Sequence, residues 1–383
     1  MAGIFTNTKG LCFFTATCLT ILAPAQTTID ESFIHDGVER SYRIYIPEIY
    51  DPSAEVPLLF NLHGYGSDNL EQEFYGDFRP IADTANFIIV HPNGTYDNNN
   101  NRFWNTFGGS NVDDLGFLAD LADTIIAQYN IDQNRIYSAG MSNGGFMSYH
   151  LACFLSSRVT AVASVTGSMT IAAYNTCDPE HTVPALQIHG TLDAIVPYNG
   201  NFFFVPVETL IDFWVEHNNC DPEPIIIQIP DIDTTDGCTA EQFIYANGDY
   251  GNSVEFFKIT GGGHSWPGAP VNINITNMDF SASAEIWRFL SQFSKDQLTT
   301  GIRAENLTVS SFELFPNPSH GKFTLRFGND ELKTILITNT SGRKVLEQSS
   351  GCVKTELILP RRGLYLLTVF HRDTVETRKL IVN

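Results

Sequence analysis

The sequence is short of positive charge. Its 383 residues include 22 Lys and Arg against 43 Asp and Glu, which gives a formal net charge of −21. A chain this acidic repels phosphate backbones and anionic lipid head groups, so the composition argues against nucleic-acid and membrane-surface binding. General disorder is excluded too, because 43% of the residues are hydrophobic and can form a large core.

The shortage of basic residues is confined to one part of the chain. Residues 26–301 hold 9 basic and 35 acidic residues, a net charge of −26, whereas residues 302–383 hold 12 and 8, a net charge of +4. A break of this size within one chain predicts two parts with different roles.

Long apolar runs are scarce, and the one that stands out lies near the start. Residues 11–23, LCFFTATCLTILA, are too few to cross a bilayer. Lys9 precedes them, and Ala23-Pro24-Ala25 follows as a small-x-small cleavage pattern. Residues 1–25 are therefore predicted to be a secretory signal peptide, with the mature chain secreted and beginning at Gln26. No later segment predicts a membrane span.

Cysteine is sparse and lacks metal-ligand spacing. Two of the seven cysteines lie in the predicted signal peptide, and there is no CxxC motif or His/Cys cluster, so neither a metal site nor a cofactor is expected. In an oxidising compartment the near neighbours Cys153–Cys177 and Cys220–Cys238 are candidate disulfides, with buried thiols as the alternative. Cys352 is then left over.

The middle of the chain alternates strand-like apolar runs with amphipathic segments. One amphipathic segment begins at Asp113-Asp114, which is better explained as a helix cap than as a catalytic acid. Six runs are typical of buried strands: VPLLFNLH (56–63), FIIVH (87–91), RIYSAG (135–140), VTAVASV (159–165), PALQIHG (184–190) and VEFFKIT (254–260). Residues 26–297 are therefore predicted to form an α/β domain, with a mostly parallel sheet covered by helices on both faces.

The pattern changes after a polar stretch, which predicts a linker over residues 298–311. Beyond it the chain shows short alternating strands without a helical period, among them GKFTLRF (321–327), TILITN (334–339) and LYLLTVF (364–370). Residues 312–383 are therefore predicted to form a small all-β sandwich.

The residues with the clearest chemical meaning surround Ser142. The segment Arg135–Gly145 is typical of a strand that ends in Gly-x-Ser-x-Gly and passes into a helix. A serine at such a turn projects its hydroxyl away from the sheet, and the helix start presents free N–H groups to developing negative charge. An ordinary glycine turn is the alternative, since the chain contains 29 glycines.

A serine nucleophile needs a base, and a histidine base needs an acid to orient it. In this architecture the order along the chain is Ser, then Asp or Glu, then His. Asp193 follows the strand 184–190, and His264 follows the strand 254–260 on a glycine-rich loop. Each could be an ordinary loop residue. Their joint occurrence in this order at equivalent strand ends predicts the catalytic triad Ser142–Asp193–His264.

Two backbone N–H groups are predicted to form the oxyanion hole, those of Asn143 and Tyr65. His63 is the competing candidate for the base, but its place at a strand end before a glycine favours a structural hydrogen-bonding role. Trp104 and Trp266 flank these loops, and they are either part of an acyl-binding wall or loop packing.

At these residues the sequence resembles the polyhydroxybutyrate depolymerase and feruloyl/acetylxylan esterase group of the α/β-hydrolase superfamily. The matching segments are LHGYGSD, VDDLGFL, AGMSNGG, HGTLDAIVPY and GGGHSWPG, in order across residues 56–268. The resemblance implies an α/β-hydrolase fold and a cofactor-independent serine esterase with the triad above, and it supports both disulfides. The sequence departs from many relatives at Tyr65, where they carry a cysteine.

The C-terminal part resembles the sorting domain of the type IX secretion system. The resemblance rests on Phe315-Pro316-Asn317-Pro318 and on Gly-Leu-Tyr at 363–365. It implies that the type IX machinery is a partner and that the protein is extracellular or held at the cell surface.

Several functions stay open at this point. The ester substrate is either a hydroxyalkanoate polyester or an acylated plant polysaccharide, depending on loops 65–78, 97–112 and 198–206. A secreted serine peptidase on the same fold is a further alternative. A non-catalytic surface binding protein is another, although the intact Ser, Asp and His set argues against it.

Overall fold

The computed structural model describes residues 26–271, 275–300, 312–317, 319–327, 330, 333–339, 344–371 and 374–382. The predicted signal peptide lies outside this range, as do residues 301–311 of the predicted linker. The chain divides into two units, Met1–Arg303 and Ala304–Asn383. None of the helices in the described ranges has the length and apolar character that crossing a membrane requires.

The first unit combines twelve strands and eight helices within the described residues. The strands are β1 (Thr27–His35), β2 (Val38–Ile46), β3 (Val56–Leu62), β4 (Ile88–Pro92), β5 (Thr95–Tyr96), β6 (Arg102–Phe103), β7 (Ile131–Met141), β8 (Ala161–Val165), β9 (Ala185–Gly190), β10 (Ile225–Gln228), β11 (Thr239–Tyr245) and β12 (Val254–Thr260). The helices are α1 (Asn69–Tyr75), α2 (Arg79–Ala85), α3 (Asp114–Gln128), α4 (Asn143–Phe154), α5 (Ile171–Thr176), α6 (Val207–His217), α7 (Ala282–Leu290) and α8 (Lys295–Thr300), with a 3₁₀ turn at Asp249–Gly251. Helix α8 includes residues 298–300, which were predicted to be linker.

Ten of these strands form one sheet in the order β1-β2-β4-β3-β7-β8-β9-β12-β11-β10, and β5 pairs with β6 as a separate hairpin. The six central strands, β4 to β12 in this order, run parallel. They are the six strands that the apolar runs predict. An antiparallel pair extends each side of the sheet, β1 and β2 on one and β11 and β10 on the other.

Both faces of the sheet are covered. In β3, Leu58 and Phe60 belong to one apolar cluster and Leu59 to the other, because successive side chains of a strand point to opposite faces. Helices α3, α4 and α6 contribute to the first cluster, and α2 and α7 contribute to the second. This is the predicted doubly covered α/β architecture.

Helix α3 begins where the sequence predicts. Asp113 is its N-cap, with a side chain that accepts a hydrogen bond from the Gly116 N–H at 2.8 Å. The apolar face of the helix is buried through Phe117, Leu121 and Ile125, at spacings of four residues.

The second unit is a β-sandwich. Its strands are β13 (Phe312–Phe315), β14 (Lys322–Phe327), β15 (Lys333–Asn339), β16 (Lys344–Ser350), β17 (Lys354–Ile358), β18 (Gly363–His371) and β19 (Thr374–Val382). They form two sheets, β13-β14-β17 and β16-β15-β18-β19. Phe323 and Leu325 of the first sheet share one buried cluster with Ile335 and Leu367 of the second, which confirms the predicted all-β sandwich.

The parallel order of the first unit decides where polar loop residues meet. Strands β7, β8, β9 and β12 are neighbours and end at the same edge of the sheet. In open α/β sheets, ligands bind at the carboxyl ends of the strands. Ser142, Asp193 and His264 all lie in segments that begin at this edge.

Candidate active site

Ser142 occupies a sharp turn between β7 and α4. Its backbone has φ 52° and ψ −120°, a conformation that is costly for any residue with a side chain. Two hydrogen bonds stabilise the turn: the Ser142 N–H donates to the Val165 carbonyl at 2.8 Å, and the Ser142 carbonyl accepts from the Phe146 N–H at 3.0 Å. The turn is therefore held by β8 on one side and by the first turn of α4 on the other.

The glycines around Ser142 are required by close packing. A Cβ atom built on Gly140 would lie 2.4 Å from the carbonyl carbon of Gly144, and one built on Gly144 would lie 2.1 Å from the carbonyl oxygen of Leu62. Real Cβ atoms do not approach other atoms so closely. The Gly-x-Ser-x-Gly pattern thus permits α4 to pack against the ends of β7 and β3.

Asp193 and His264 are joined by a direct hydrogen bond, with 2.7 Å between His264 Nδ1 and Asp193 Oδ2. The other oxygen of Asp193 accepts from the N–H groups of Ile195 and Val196, both at 2.9 Å. The carboxylate is buried, while the His264 side chain is 13% exposed. Because a carboxylate only accepts hydrogen bonds, Nδ1 of His264 carries a proton and Nε2 is available on the opposite side of the ring.

A buried polar network lies behind Asp193. His189 Nε2 donates to the Val196 carbonyl at 2.8 Å, and His189 Nδ1 accepts from Gln187 Nε2 at 2.9 Å. Tyr149 donates in turn to the Gln187 side-chain oxygen at 2.8 Å. Burial lowers the pKa of His189, so the ring is neutral. This network positions the Asp193 loop. The network was not predicted from the sequence, although Gln187 and His189, two polar residues on one face of a buried strand, indicate it.

The loop after β3 lies directly beside Ser142. A Cβ atom built on Gly64 would be 3.5 Å from Ser142 Cβ. Among the described residues, no hydrogen-bond acceptor faces the N–H of Tyr65 or that of Asn143. The Tyr65 side chain points away, because its hydroxyl bonds to Asp97 at 2.6 Å. Within the described part of the chain these two N–H groups, one in each segment next to Ser142, are therefore available to a ligand, as an oxyanion hole requires.

Ser142 Oγ makes no hydrogen bond within the described residues, so the structure pairs His264 with Asp193 and brings Ser142 to the same edge of the sheet without a bond to His264. The competing base, His63, is fully buried. The Gly94 N–H donates to its Nε2 at 2.9 Å, and its Nδ1 therefore donates to the Gly64 carbonyl at 2.7 Å. Burial lowers the pKa of His63 to about 4. It supports the loop and cannot reach a substrate.

Known esterases resemble the first unit of this chain in sequence. The family described as Esterase PHB depolymerase matches residues 40–179, which include Ser142. Probable feruloyl esterase C from Aspergillus niger is 30% identical over 199 residues, which cover 50% of this chain and 67% of the relative. The chain belongs to this esterase family.

Two other esterases are similar to this member of the family. The bifunctional acetylxylan esterase/xylanase XynS20E from Neocallimastix patriciarum is 25% identical over 273 residues, 70% of this chain but only 36% of the relative. The solved acetyl xylan esterase from Aspergillus awamori shares the fold, with a TM-score of 0.50 at 14% identity over 69% of this chain and 99% of that chain. The chain therefore spans about a third of the first of these relatives and about two thirds of the Aspergillus niger protein.

The C-terminal unit has a separate relationship. Residues 313–383 match the family described as Secretion system C-terminal sorting domain. The match begins after the esterase unit and spans all of the β-sandwich except Phe312, so the two parts of the chain match different families.

Of the two interpretations of Trp104 and Trp266, the structure favours loop packing over an acyl-binding wall. Trp104 is 0% exposed and Trp266 is 2% exposed. Trp104 Nε1 donates to the His63 carbonyl at 2.9 Å, and its backbone N–H and carbonyl both bond to the Asn143 side chain. Trp266 Nε1 donates to Ser283 Oγ at 3.2 Å. Both tryptophans hold the loops of the site in place and are inaccessible to a ligand.

A cluster of aromatic side chains is built on Phe146, four residues after Ser142 in α4. The Phe107 ring lies 5.3 Å from that of Phe146, one helical turn after Ser142, and 5.8 Å from that of Phe204. Phe107 is 49% exposed, and Phe202 and Phe203 beside this cluster are 86% and 65% exposed. Their loops, 97–112 and 198–206, were predicted to set specificity, but these phenylalanines were not predicted individually. The run Phe202-Phe203-Phe204 in an otherwise polar loop was the available signal.

One predicted disulfide is present and the other is wrong. Cys153 and Cys177 are bonded, with 4.9 Å between their Cα atoms. Cys220 and Cys238 are free and buried. Asp221 bonds to the Ala246 carbonyl just beyond the end of β11, whereas Cys238 directly precedes β11. Seven residues of strand separate the two by roughly 20 Å, and a disulfide needs Cα atoms within about 7 Å.

Proposed function

We propose that the chain is a secreted serine carboxylic-ester hydrolase that forms an acyl-enzyme on Ser142. The observation that carries the proposal is the 2.7 Å hydrogen bond between His264 and Asp193, at the same sheet edge as the Ser142 turn. The family membership of the chain supports it. In this reading Ser142, Asp193 and His264 are the catalytic residues, as the sequence predicts.

The proposed mechanism assigns one step to each group. His264 Nε2 takes the proton of Ser142 Oγ as the oxygen attacks the ester carbonyl, and Asp193 stabilises the imidazolium through Nδ1. The carbonyl oxygen becomes an oxyanion that accepts from the N–H groups of Tyr65 and Asn143. His264 then protonates the leaving alcohol. It afterwards activates water, which releases the acid and restores the serine.

The direct test is the Ser142→Ala variant. We expect the turnover of p-nitrophenyl acetate to fall by at least about 10³-fold, because the nucleophile is lost. A fluorophosphonate probe should label the native chain and leave the variant unlabelled. Ser291→Ala is the matched control, since Ser291 follows α7 and bonds only to the preceding turn through its hydroxyl.

Three results would contradict the proposal. Retention of full activity by Ser142→Ala would remove the serine from the mechanism. Failure of the native chain to react with the probe would instead favour a non-catalytic surface binding protein. Turnover of peptide amides at rates that rival esters would favour the peptidase alternative.

The acyl group that best fits the site is aromatic. Phe107 and Phe204 both pack on Phe146, which lies four residues after Ser142 in α4. Ring stacking of this kind favours a planar substituted cinnamoyl group over an acetyl group, because it adds interaction energy beyond area burial. Relatives of the chain carry the name feruloyl esterase. We therefore propose feruloyl-type esters of polysaccharide as the substrate.

A polyester substrate is the second candidate. Phe202 and Phe203 are the observation that favours it, because side chains that are 86% and 65% exposed next to a site can adsorb to an apolar polymer surface.

A substrate panel separates the two candidates. It compares methyl ferulate, acetylated xylan, hydroxybutyrate oligomers and p-nitrophenyl acetate. Phe107→Ala should reduce kcat/KM for methyl ferulate by about tenfold and leave p-nitrophenyl acetate almost unchanged. Phe154→Ala, an equally aromatic residue at the far end of α4 with 40% exposure, should change neither. Activity on hydroxybutyrate oligomers alone would select the second candidate.

We also propose that the sorting domain directs the protein through type IX secretion to the cell exterior, after a signal peptide over residues 1–25 has led it across the inner membrane. In a host with that machinery, a chain that lacks residues 312–383 should accumulate in the periplasm, whereas the complete chain should reach the medium or the cell surface. Equal export of both chains would contradict the proposal.

A further inference from the structure

A cluster of metal-ligand atoms lies where the first hairpin meets α3. His35 ends β1, Asp36 lies in the turn to β2, and Asp113 caps α3. One ring nitrogen of His35 and one carboxylate oxygen from each aspartate lie within 4.8 Å of one another. We propose that these three residues bind a structural divalent transition-metal ion of the Zn²⁺ type.

The state of His35 is the first argument. The side chain is only 8% exposed. Its Nδ1 lies 2.8 Å from Asp120 Oδ2 and therefore carries the proton that the carboxylate accepts. Its Nε2 is buried and has no hydrogen-bond partner among the described residues, and the nearest Asp36 oxygen, at 3.8 Å, is too distant for a hydrogen bond. A buried polar atom without a partner is costly, and a metal ion at Nε2 removes that cost.

The pairing of His35 with Asp120 is the second argument. Histidines that bind metal usually donate their other ring N–H to a carboxylate or a carbonyl, which fixes the tautomer and directs the free nitrogen toward the ion. Asp120 has this role here. The bond between Asp120 and Nδ1 leaves Nε2 available to an ion, with Asp36 Oδ2 3.8 Å away.

The absence of a side chain at Gly116 leaves space between the three ligands. A Cβ atom built on Gly116 would lie 2.3 Å from Asp113 Oδ2 and 3.2 Å from His35 Cε1. Oδ1 of Asp113 is used by the helix cap, which leaves Oδ2 for a ligand bond. The Asp36 side chain is 78% exposed and can rotate toward the ion.

The donor set selects the kind of ion. One imidazole nitrogen with two carboxylate oxygens suits Zn²⁺, which accepts both ligand types and completes four-coordination with water. Ca²⁺ prefers six or more oxygen ligands, which this cluster does not provide. The nearby Arg40 does not cancel the charge of the cluster, since its guanidinium is bound to Asp114 at 2.6 Å.

The site would join the β1–β2 turn to the start of α3. Asn105 bonds to Asp114 Oδ2 through its N–H at 2.7 Å and so connects the same helix start to the loop next to Ser142. The ion therefore stabilises the fold around the first hairpin. Its effect should appear in thermal stability rather than in the chemical step.

The test is zinc binding to the complete, untagged chain after treatment with EDTA. Calorimetry should show one ion per chain. Thermal unfolding should shift upward by about 5 °C when free Zn²⁺ is a hundred times the dissociation constant. Ca²⁺ at the same concentration should produce no shift. Absence of a zinc-dependent shift would overturn the proposal and leave His35 as a buried imidazole paired only with Asp120.

Two conservative variants make the test specific. Asparagine is tolerated at position 36, where φ is 48°, and it is as good a helix cap as aspartate at position 113. Asp36→Asn and Asp113→Asn should each weaken zinc binding at least tenfold while leaving the melting temperature without metal unchanged. Asp51→Asn is the matched control, because Asp51 is also an exposed turn aspartate and accepts from the Ser53 N–H. Zinc affinity that is equal in all three variants and the native chain would overturn the proposal.

Discussion

Ser142 stands in a backbone conformation that its neighbours must maintain. Its φ of 52° costs about 1–3 kcal/mol for a residue with a side chain. The hydrogen bond to Val165 and the start of α4 offset that cost. The strain places the hydroxyl above the sheet edge, where a substrate can reach it.

At the residue scale, the proposed role of Asp193 in orienting His264 can be tested with the Asp193→Asn variant. The Asn oxygen can still accept from Ile195 and Val196, but its NH₂ group then faces His264 Nδ1 and favours the wrong tautomer of the ring. We expect kcat for p-nitrophenyl acetate to fall by on the order of 10³–10⁴ with little change in KM. Steady-state kinetics and circular dichroism check this.

The matched control for that variant is Asp279→Asn. One oxygen of Asp279 also accepts two backbone N–H groups, those of Ile232 and Asp233, but the carboxylate is not bonded to His264. This variant should lose stability and keep kcat. A loss of kcat in Asp279→Asn as large as that in Asp193→Asn would contradict the role assigned to Asp193.

At the scale of elements, a buried ion pair attaches β2 to α3. Arg40 and Asp114 are each 2% exposed in their side chains, with 2.6 Å between Arg40 Nη2 and Asp114 Oδ1. The Arg40 guanidinium also stacks on the Phe117 ring at 3.7 Å. Burial raises the pKa of Asp114 in spite of the arginine, so the carboxylate depends on its partner.

Arg40→Met should therefore destabilise the protein by about 3–5 kcal/mol, because it leaves a buried carboxylate unpaired. Urea unfolding measures the loss. Arg158→Met is the control: Arg158 pairs with Asp123 on the surface, with side chains that are 38% and 62% exposed, and its removal should cost at most about 1 kcal/mol. Equal losses of unfolding free energy in both variants would contradict the predicted difference between the buried and the exposed ion pair.

The disulfide attaches α4 to the end of α5. Cys153 lies in the last turn of α4, and Cys177 directly follows α5, 24 residues later. Replacement of both cysteines by alanine should lower the free energy of unfolding by about 3 kcal/mol, because the unfolded chain gains the entropy of an open loop. Cys352→Ser, which removes an exposed free thiol, should have no measurable effect. Guanidinium unfolding of both variants measures what the disulfide and the free thiol each contribute to stability.

At the scale of the whole molecule, buried histidines make stability depend on pH. Burial lowers the pKa of His91 to about 3 from 6.5, so the unfolded chain takes up a proton first as the pH falls. Between about pH 6.5 and 3 this group lowers the free energy of unfolding by up to about 1.4 kcal/mol per pH unit. Above pH 6.5 neither state is protonated and the group contributes no slope.

His91→Leu isolates this contribution. Neither ring nitrogen of His91 has a hydrogen-bond partner among the described residues, so leucine removes the titration without removing a bond. Urea unfolding at pH 7.5 and pH 5 measures the free energy of unfolding at each pH. The decrease from pH 7.5 to pH 5 should be smaller in the variant than in the native protein. His181→Leu, at a half-buried position, is the control. An unchanged pH dependence in His91→Leu would contradict the assignment.

Much of the fold follows from local patterns, and the exceptions have physical reasons. The six central strands are buried on both faces. They therefore consist of continuous apolar runs, which can be recognised in the sequence. The flanking strands were not predicted, since β10 is fully exposed and β1 buries only every second position in part. An exposed strand is held by backbone hydrogen bonds to its neighbour, which leave little trace in side-chain pattern.

The residue order along the chain determined the class of fold, the break between the two units, the Ser142 turn and the candidate partners Asp193 and His264. Each of these depends on local period or on loops at predictable strand ends. Only the tertiary structure decided the burial of Trp104 and Trp266, the separation of Cys220 from Cys238, and the meeting of His35 with Asp113. These depend on how segments far apart in the chain pack together. Residue type and sequence spacing do not give the distance between such segments in the folded protein.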